Sequence, residues 1–166
     1  DVSIGRDSEA LNVGGIFDFI INGLSEKGEQ SQIVLPQRQP IPAGAVYRKY
    51  SDAAAGWLVF VEDANNQLHS TAGEKGFCPL PGSAQWTPGI TAGHWCVQLT
   101  LNDGGPNDND GIANGTIVDP GGVAVLITNN NLPEANTDIA RVKRNGSVTI
   151  DVLANDLSFT SQMPTL

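Results

Sequence analysis

The sequence predicts an all-β fold, an antiparallel β-sandwich of Ig-like or jelly-roll-like type with long loops, and three observations carry that reading. Nineteen glycines and ten prolines are spread through the 166 residues and leave no window long enough for helical periodicity. Apolar residues instead recur at every second position in short runs. Clusters of Asn, Asp and Gly separate those runs, which is the turn chemistry of a sheet built from hairpins. A chain of this length holds one domain with a proper core, or one domain and a fragment of another.

Taken in order, Ile16 to Ile21 places Phe17, Phe19 and Ile21 on one face, and Asn22-Gly23 follows as a turn. Ser31 to Leu35 runs into Pro36. After Pro40-Ile41-Pro42, Ala45 to Tyr50 alternates, with Tyr47 and Lys49 on one face and Val46, Arg48 and Tyr50 on the other. Gly56 to Glu62 is apolar on both faces, the pattern of a central strand. Asp63 to Asn66 makes its turn and Gln67 to Thr71 the return. Trp95 to Leu101 sends Trp95, Val97, Leu99 and Leu101 inward and Cys96 outward, towards a covering loop; Trp57 and Trp95, at strand starts, are expected in the core. Gly122 to Thr128 closes a sandwich domain over residues 1–128. Residues 129–136 read as a polar linker, and residues 137–166 as a β extension in which Ala140 to Lys143 and Ser147 to Leu153 flank an Asn145-Gly146 turn.

Between the last two strands of the sandwich, residues 102–122 pack four aspartates and six glycines among several asparagines into 21 residues. Calcium takes six to eight oxygens from carboxylates, amides and carbonyls, and glycines let a short loop turn its carbonyls inward. Counting back from Gly111 puts Pro106 where an EF-hand needs its first acid, and Ile117 stands where its bidentate glutamate belongs. The expected cage is therefore of another kind, with Asp103, Asn107, Asp108, Asp110, Asn114 and Asp119 as ligands. No Lys or Arg occurs between Lys75 and Arg141 to offset those charges. The competing reading is a solvated hairpin loop.

The two cysteines, Cys78 and Cys96, bracket a loop rich in proline and glycine, and a disulfide there implies an oxidising compartment. A zinc site from Cys78, Cys96, His94 and His69 matches no common ligand spacing. The formal charge of −9 argues against nucleic acid and anionic lipid, and no apolar run approaches the roughly 20 residues of a membrane span. His69 and His94 lie in no recognisable nucleophile motif, so catalysis is not expected. Trp86, Tyr50 and His94 are the candidates for a sugar-binding surface.

Val46 to Tyr50, Ala92 to Val97 and Asp103 to Gly122 together resemble the choice-of-anchor U domain of bacterial surface proteins, over most of residues 10–128. Asn145 to Asp156 is similar to the opening strand of bacterial cadherin-like repeats. These resemblances imply a non-catalytic extracellular or cell-surface module, structural or adhesive, whose partners are neighbouring surface-protein domains or identical subunits. A strand-donating subunit of an extracellular fibre and a lectin-like module that binds glycans are the alternatives.

Overall fold

The computed structural model describes residues 4–52, 54–127 and 137–151. Every regular element among them is a β-strand, as the period of two requires. In chain order these are β1 (Ala10–Asn12), β2 (Phe17–Asn22), β3 (Gln30–Pro36), β4 (Ala45–Ser51), β5 (Gly56–Val59), β6 (Gln67–Thr71), β7 (Thr87–Pro88), β8 (Cys96–Asn102) and β9 (Thr116–Leu126). All pairings are antiparallel. One sheet has the order β1-β9-β4-β5, with β2 also paired to β9, and the other the order β3-β8-β6-β7.

The core lies between the two sheets. Tyr47, Ile117 and Val123 come from the first sheet and Leu35, Leu68, Val97, Leu99 and Leu101 from the second, with Ile41 and Phe60 completing the buried cluster. The Phe60 ring meets Tyr47 edge-on at 6.0 Å. Phe17, Phe19 and Ile21 pack against this cluster from the inner face of β2, as the alternation requires.

Three elements depart from the expectation. The Gly56 segment forms a four-residue edge strand, with Leu58 and Val59 more than two-fifths exposed, because β5 pairs only with β4. Trp57 and Trp95 are half-buried and lie outside the core; Trp57 stacks edge-on to Tyr50 and donates its indole N–H to the Gly5 carbonyl. Finally, β9 begins at Thr116, six residues before the expected Gly122. Asp119-Pro120-Gly121-Gly122 has the composition of a turn but runs as strand. Pro120 pairs with Asp18 of β2 and precedes the stretch that registers with β4, so its missing N–H breaks no rung there.

The chain divides into two compact units, Asp1–Leu126 and Ile127–Leu166. In the second, Asn145 adopts a left-handed φ of 63° and the Gly146 N–H donates to the Lys143 carbonyl at 2.8 Å, which is the expected Asn-Gly turn. No strand flanks it within residues 137–151. The linker at 129–136 and the end of the expected strand, Val152 and Leu153, lie outside the described residues.

Candidate functional site

The acidic loop is a folded object whose side chains act as surrogate backbone. Asp103, 1% exposed, accepts the N–H groups of Gly28, Asn114 and Gly115 at 2.8–3.1 Å and so ties the loop's two ends to the β2–β3 turn. Burial works to raise its carboxyl, but these N–H donors hold it below the ordinary 3.8. Asp108 accepts from Gly104 and Val118. Its carboxyl is raised, first by burial and then by Asp110 and Asp103, against the pull of those two donors. Asn107 exchanges two hydrogen bonds with the backbone of Val61, as a paired strand residue would. Asn109 likewise accepts from the Asp52 N–H and donates to its carboxylate. These four residues, all buried, lock one loop onto three neighbouring segments.

Six residues were expected to share a cation, and the structure gives them separate duties. Asp110 caps the Ile112 N–H and takes the Asn114 amide at the exposed surface, while Asp119 points into the core. Among the described residues no three of His, Cys, Asp and Glu gather closely enough to hold a metal ion. Asp103 and Asp108 spend their carboxylate oxygens on backbone N–H groups and Asp119 pairs with Lys49, so in this arrangement the six residues do not converge as a preformed calcium cage.

Below the loop lies a centre that composition did not flag. Lys49 of β4 and Asp119 of β9 form an ion pair in the interior, 3% and 0% exposed. Both side chains follow from alternation, since Tyr47, Lys49, Ile117, Asp119 and Val123 all occupy inward positions. Burial pushes the Asp119 carboxyl up to about 6, Lys49 opposing and Asp108 and Asp18 adding to the rise. Burial lowers the Lys49 amine, against the attraction of Asp119 and Asp108. The Tyr47 hydroxyl, fully buried, is raised well above 10.0 by burial and then by the charge of Asp119. The Tyr47 hydroxyl, Lys49 Nζ and both Asp119 oxygens have no hydrogen-bond partner among the described residues. A lysine on a strand of otherwise mixed polarity reads as exposed; the one available signal was that it shares a face with Tyr47.

On the opposite sheet, the residues between β6 and β8 cover the outer face. Cys78 and Cys96 are joined by a disulfide with Cα atoms 5.7 Å apart, and the buried Gln98 accepts the Gly82 N–H. The Ser70 hydroxyl and His94 Nδ1 meet at 3.0 Å. Ser70 is fully buried and its hydroxyl accepts the Thr91 N–H, so it serves to fix the covering loop. The three candidate sugar contacts are divided between faces. Trp86 and His94 belong to this cover, with the Trp86 indole donating to the Leu80 carbonyl, whereas Tyr50 pairs with Trp57 on the outer face of the other sheet. There Arg48 joins Asp7 through two hydrogen bonds and Glu9 through one.

No family model, curated protein or solved structure matches the chain.

Proposed function

We propose that the chain is a non-catalytic structural or adhesive module of the cell surface or extracellular space. The observation that carries this reading is where the polar residues go: Asp103, Asn107, Asp108 and Asn109 are consumed in holding backbone, not presented to a ligand. The Cys78–Cys96 disulfide supports an oxidising compartment. The resemblance of Val46 to Tyr50, Ala92 to Val97 and Asp103 to Gly122 to the choice-of-anchor U domain points the same way. The test is surface labelling of the native source with an antibody against this domain. Labelling of intact cells or of the culture fluid, with no titratable thiol in the recovered protein, is the expected result; signal only after lysis, with two free thiols, refutes the reading.

Calcium belongs to this reading only as an ion that displaces hydrogen bonds the loop already makes. A chelator is expected to leave the thermal midpoint unchanged, and a fall of several degrees reinstates the ion as a stabiliser. A second reading, the strand-donating fibre subunit, is favoured by Ser147 to Ile150, which alternates in strand fashion and leaves Val148 and Ile150 about half exposed. Truncation after Asn131 decides it: assemblies of native size from the shortened chain exclude strand donation.

A further inference from the structure

We propose that Lys49 and Asp119 are joined by an intramolecular amide between Lys49 Nζ and Asp119 Cγ, a covalent cross-link from β4 to β9 that forms inside the folded domain. The two groups are in direct contact, and each is shut off from solvent. A buried ion pair that serves stability is normally wrapped in further hydrogen bonds, which offset the desolvation of both charges. Here Lys49 Nζ and both Asp119 oxygens have nothing but each other among the described residues. An amide removes both charges, and with them the desolvation cost.

Strand register supplies the approach. Lys49 lies directly across from Gly121, which puts it one diagonal step from Asp119 on the same inward face. A Cβ on Gly121 would meet the Tyr47 ring at 2.7 Å and Asp119 Oδ1 at 3.0 Å. Glycine at that position is what allows the lysine, the aspartate and the tyrosine to crowd together.

The chemistry balances without a co-reactant. The neutral amine attacks Cγ of the protonated carboxyl, the C–N bond forms, and the hydroxyl leaves with a proton from nitrogen as one water. Nothing is oxidised or reduced. Burial favours the neutral form of each reactant, as the amine and acid here both show. The charge of Asp108 acts on both groups and that of Asp18 on Asp119, so the pair sits in a field that favours the protonated acid. Exclusion of water from the core then protects the product from hydrolysis.

The experiment is the intact mass of the full 166-residue chain, reduced and denatured, followed by tryptic mapping. The expected mass is one water below that of the reduced sequence. The digest is expected to contain a branched species in which the peptide beginning at Lys49 is joined to the peptide carrying Asp119. Asp-Gly sites such as Asp103-Gly104 and Asp110-Gly111 can also lose water by cyclising, but they give no branch. Lys49→Met and Asp119→Ala are each expected to regain the full mass, whether or not they fold. Asp119→Asn is a further control, since loss of ammonia from it gives the same branched product. A wild-type chain at full sequence mass, a water loss that maps to an Asp-Gly site, or a water loss that persists in Lys49→Met overturns the proposal.

Discussion

Removing the disulfide tests how the second sheet is held. Cys96 is fully buried on the outer face of β8, and its bond to Cys78 closes a loop with a sequence separation of 18. In the chain-entropy treatment a loop of that size stabilises the native state by about 3 kcal/mol. For a domain of this size that corresponds to a fall in melting temperature on the order of 10 °C. The perturbation is the double variant Cys78→Ala/Cys96→Ala, read by calorimetry beside the reduced wild type. Because the core residues Val97, Leu99 and Leu101 lie on the other face of β8, the sheets should survive while the cover loosens. Amide exchange should therefore accelerate first at Gly82, whose N–H bonds to Gln98, and at Trp86, whose N–H bonds to the Ser83 carbonyl. A fall of less than about 2 °C in protein shown to carry no disulfide would mean that the cover is held by its hydrogen bonds alone, and the entropic reasoning would fail.

Leu99, fully buried at the centre of the core, should cost about 2–5 kcal/mol when cut to alanine, measured by urea denaturation with the slope unchanged. Asp103→Ala should destabilise more than Asp110→Ala and should abolish exchange protection at Gly28 and Gly115, because Asp103 anchors three backbone N–H groups and Asp110 caps an exposed turn; equal effects would contradict the scaffold role. Asp103 and Asp7 both titrate below 3.8, Asp7 because its bonds to Arg48 and to the Glu9 N–H outweigh burial. Their stabilisation is therefore complete above about pH 4 and is lost as pH falls through their lowered values, so a melting temperature that does not drop in strong acid would rule it out. Asp119 has the opposite sign: with its carboxyl raised from 3.8 to about 6, an uncrosslinked chain loses stability as pH rises across that interval, whereas a chain carrying the amide has no Asp119 titration and shows no such slope.

The sheet-forming face of the sequence was legible because alternation is a local signal. Phe17, Phe19 and Ile21, Tyr47 and Lys49, and Val97, Leu99 and Leu101 all face where the period of two puts them. The outward turn of Cys96 towards a disulfide-tied cover was legible for the same reason. What composition hid was context. Leu58 and Val59 carry the apolarity of a central strand yet lie on an edge, because nothing in those residues says how many neighbours a strand will have. Asp119-Pro120-Gly121-Gly122 reads as a turn by residue type, but Gly121 is there to admit Tyr47 and Asp119, a packing reason invisible along the chain. Asp103 and Asp108 read along the chain as ligands for an ion, because oxygen count cannot distinguish ligands aimed at an ion from acceptors aimed at backbone N–H groups, which is where these two point here. Lys49 escaped notice because a buried lysine declares itself only through a partner 70 residues away in the chain, Asp119 at the far side of that loop.

The proposed cross-link also fixes how the domain behaves under tension. A pull applied at the two ends of the first unit enters through the residues before Lys49 and leaves through those after Asp119. With the amide in place the force passes from β4 to β9 through a covalent bond, and the chain between them is never stretched. At about 3.3 Å per extended residue, that segment amounts to roughly 230 Å withheld from the unfolding extension. The disulfide lies inside it, since Cys78 and Cys96 both fall between Lys49 and Asp119. Two results are thus tied together in a single-molecule pulling experiment. Lys49→Met should unfold with a longer extension than wild type, and reductant should add a further length of roughly 60 Å to Lys49→Met while adding none to wild type. If reductant lengthens the wild-type trace, the chain between Lys49 and Asp119 is being stretched, and no amide spans it.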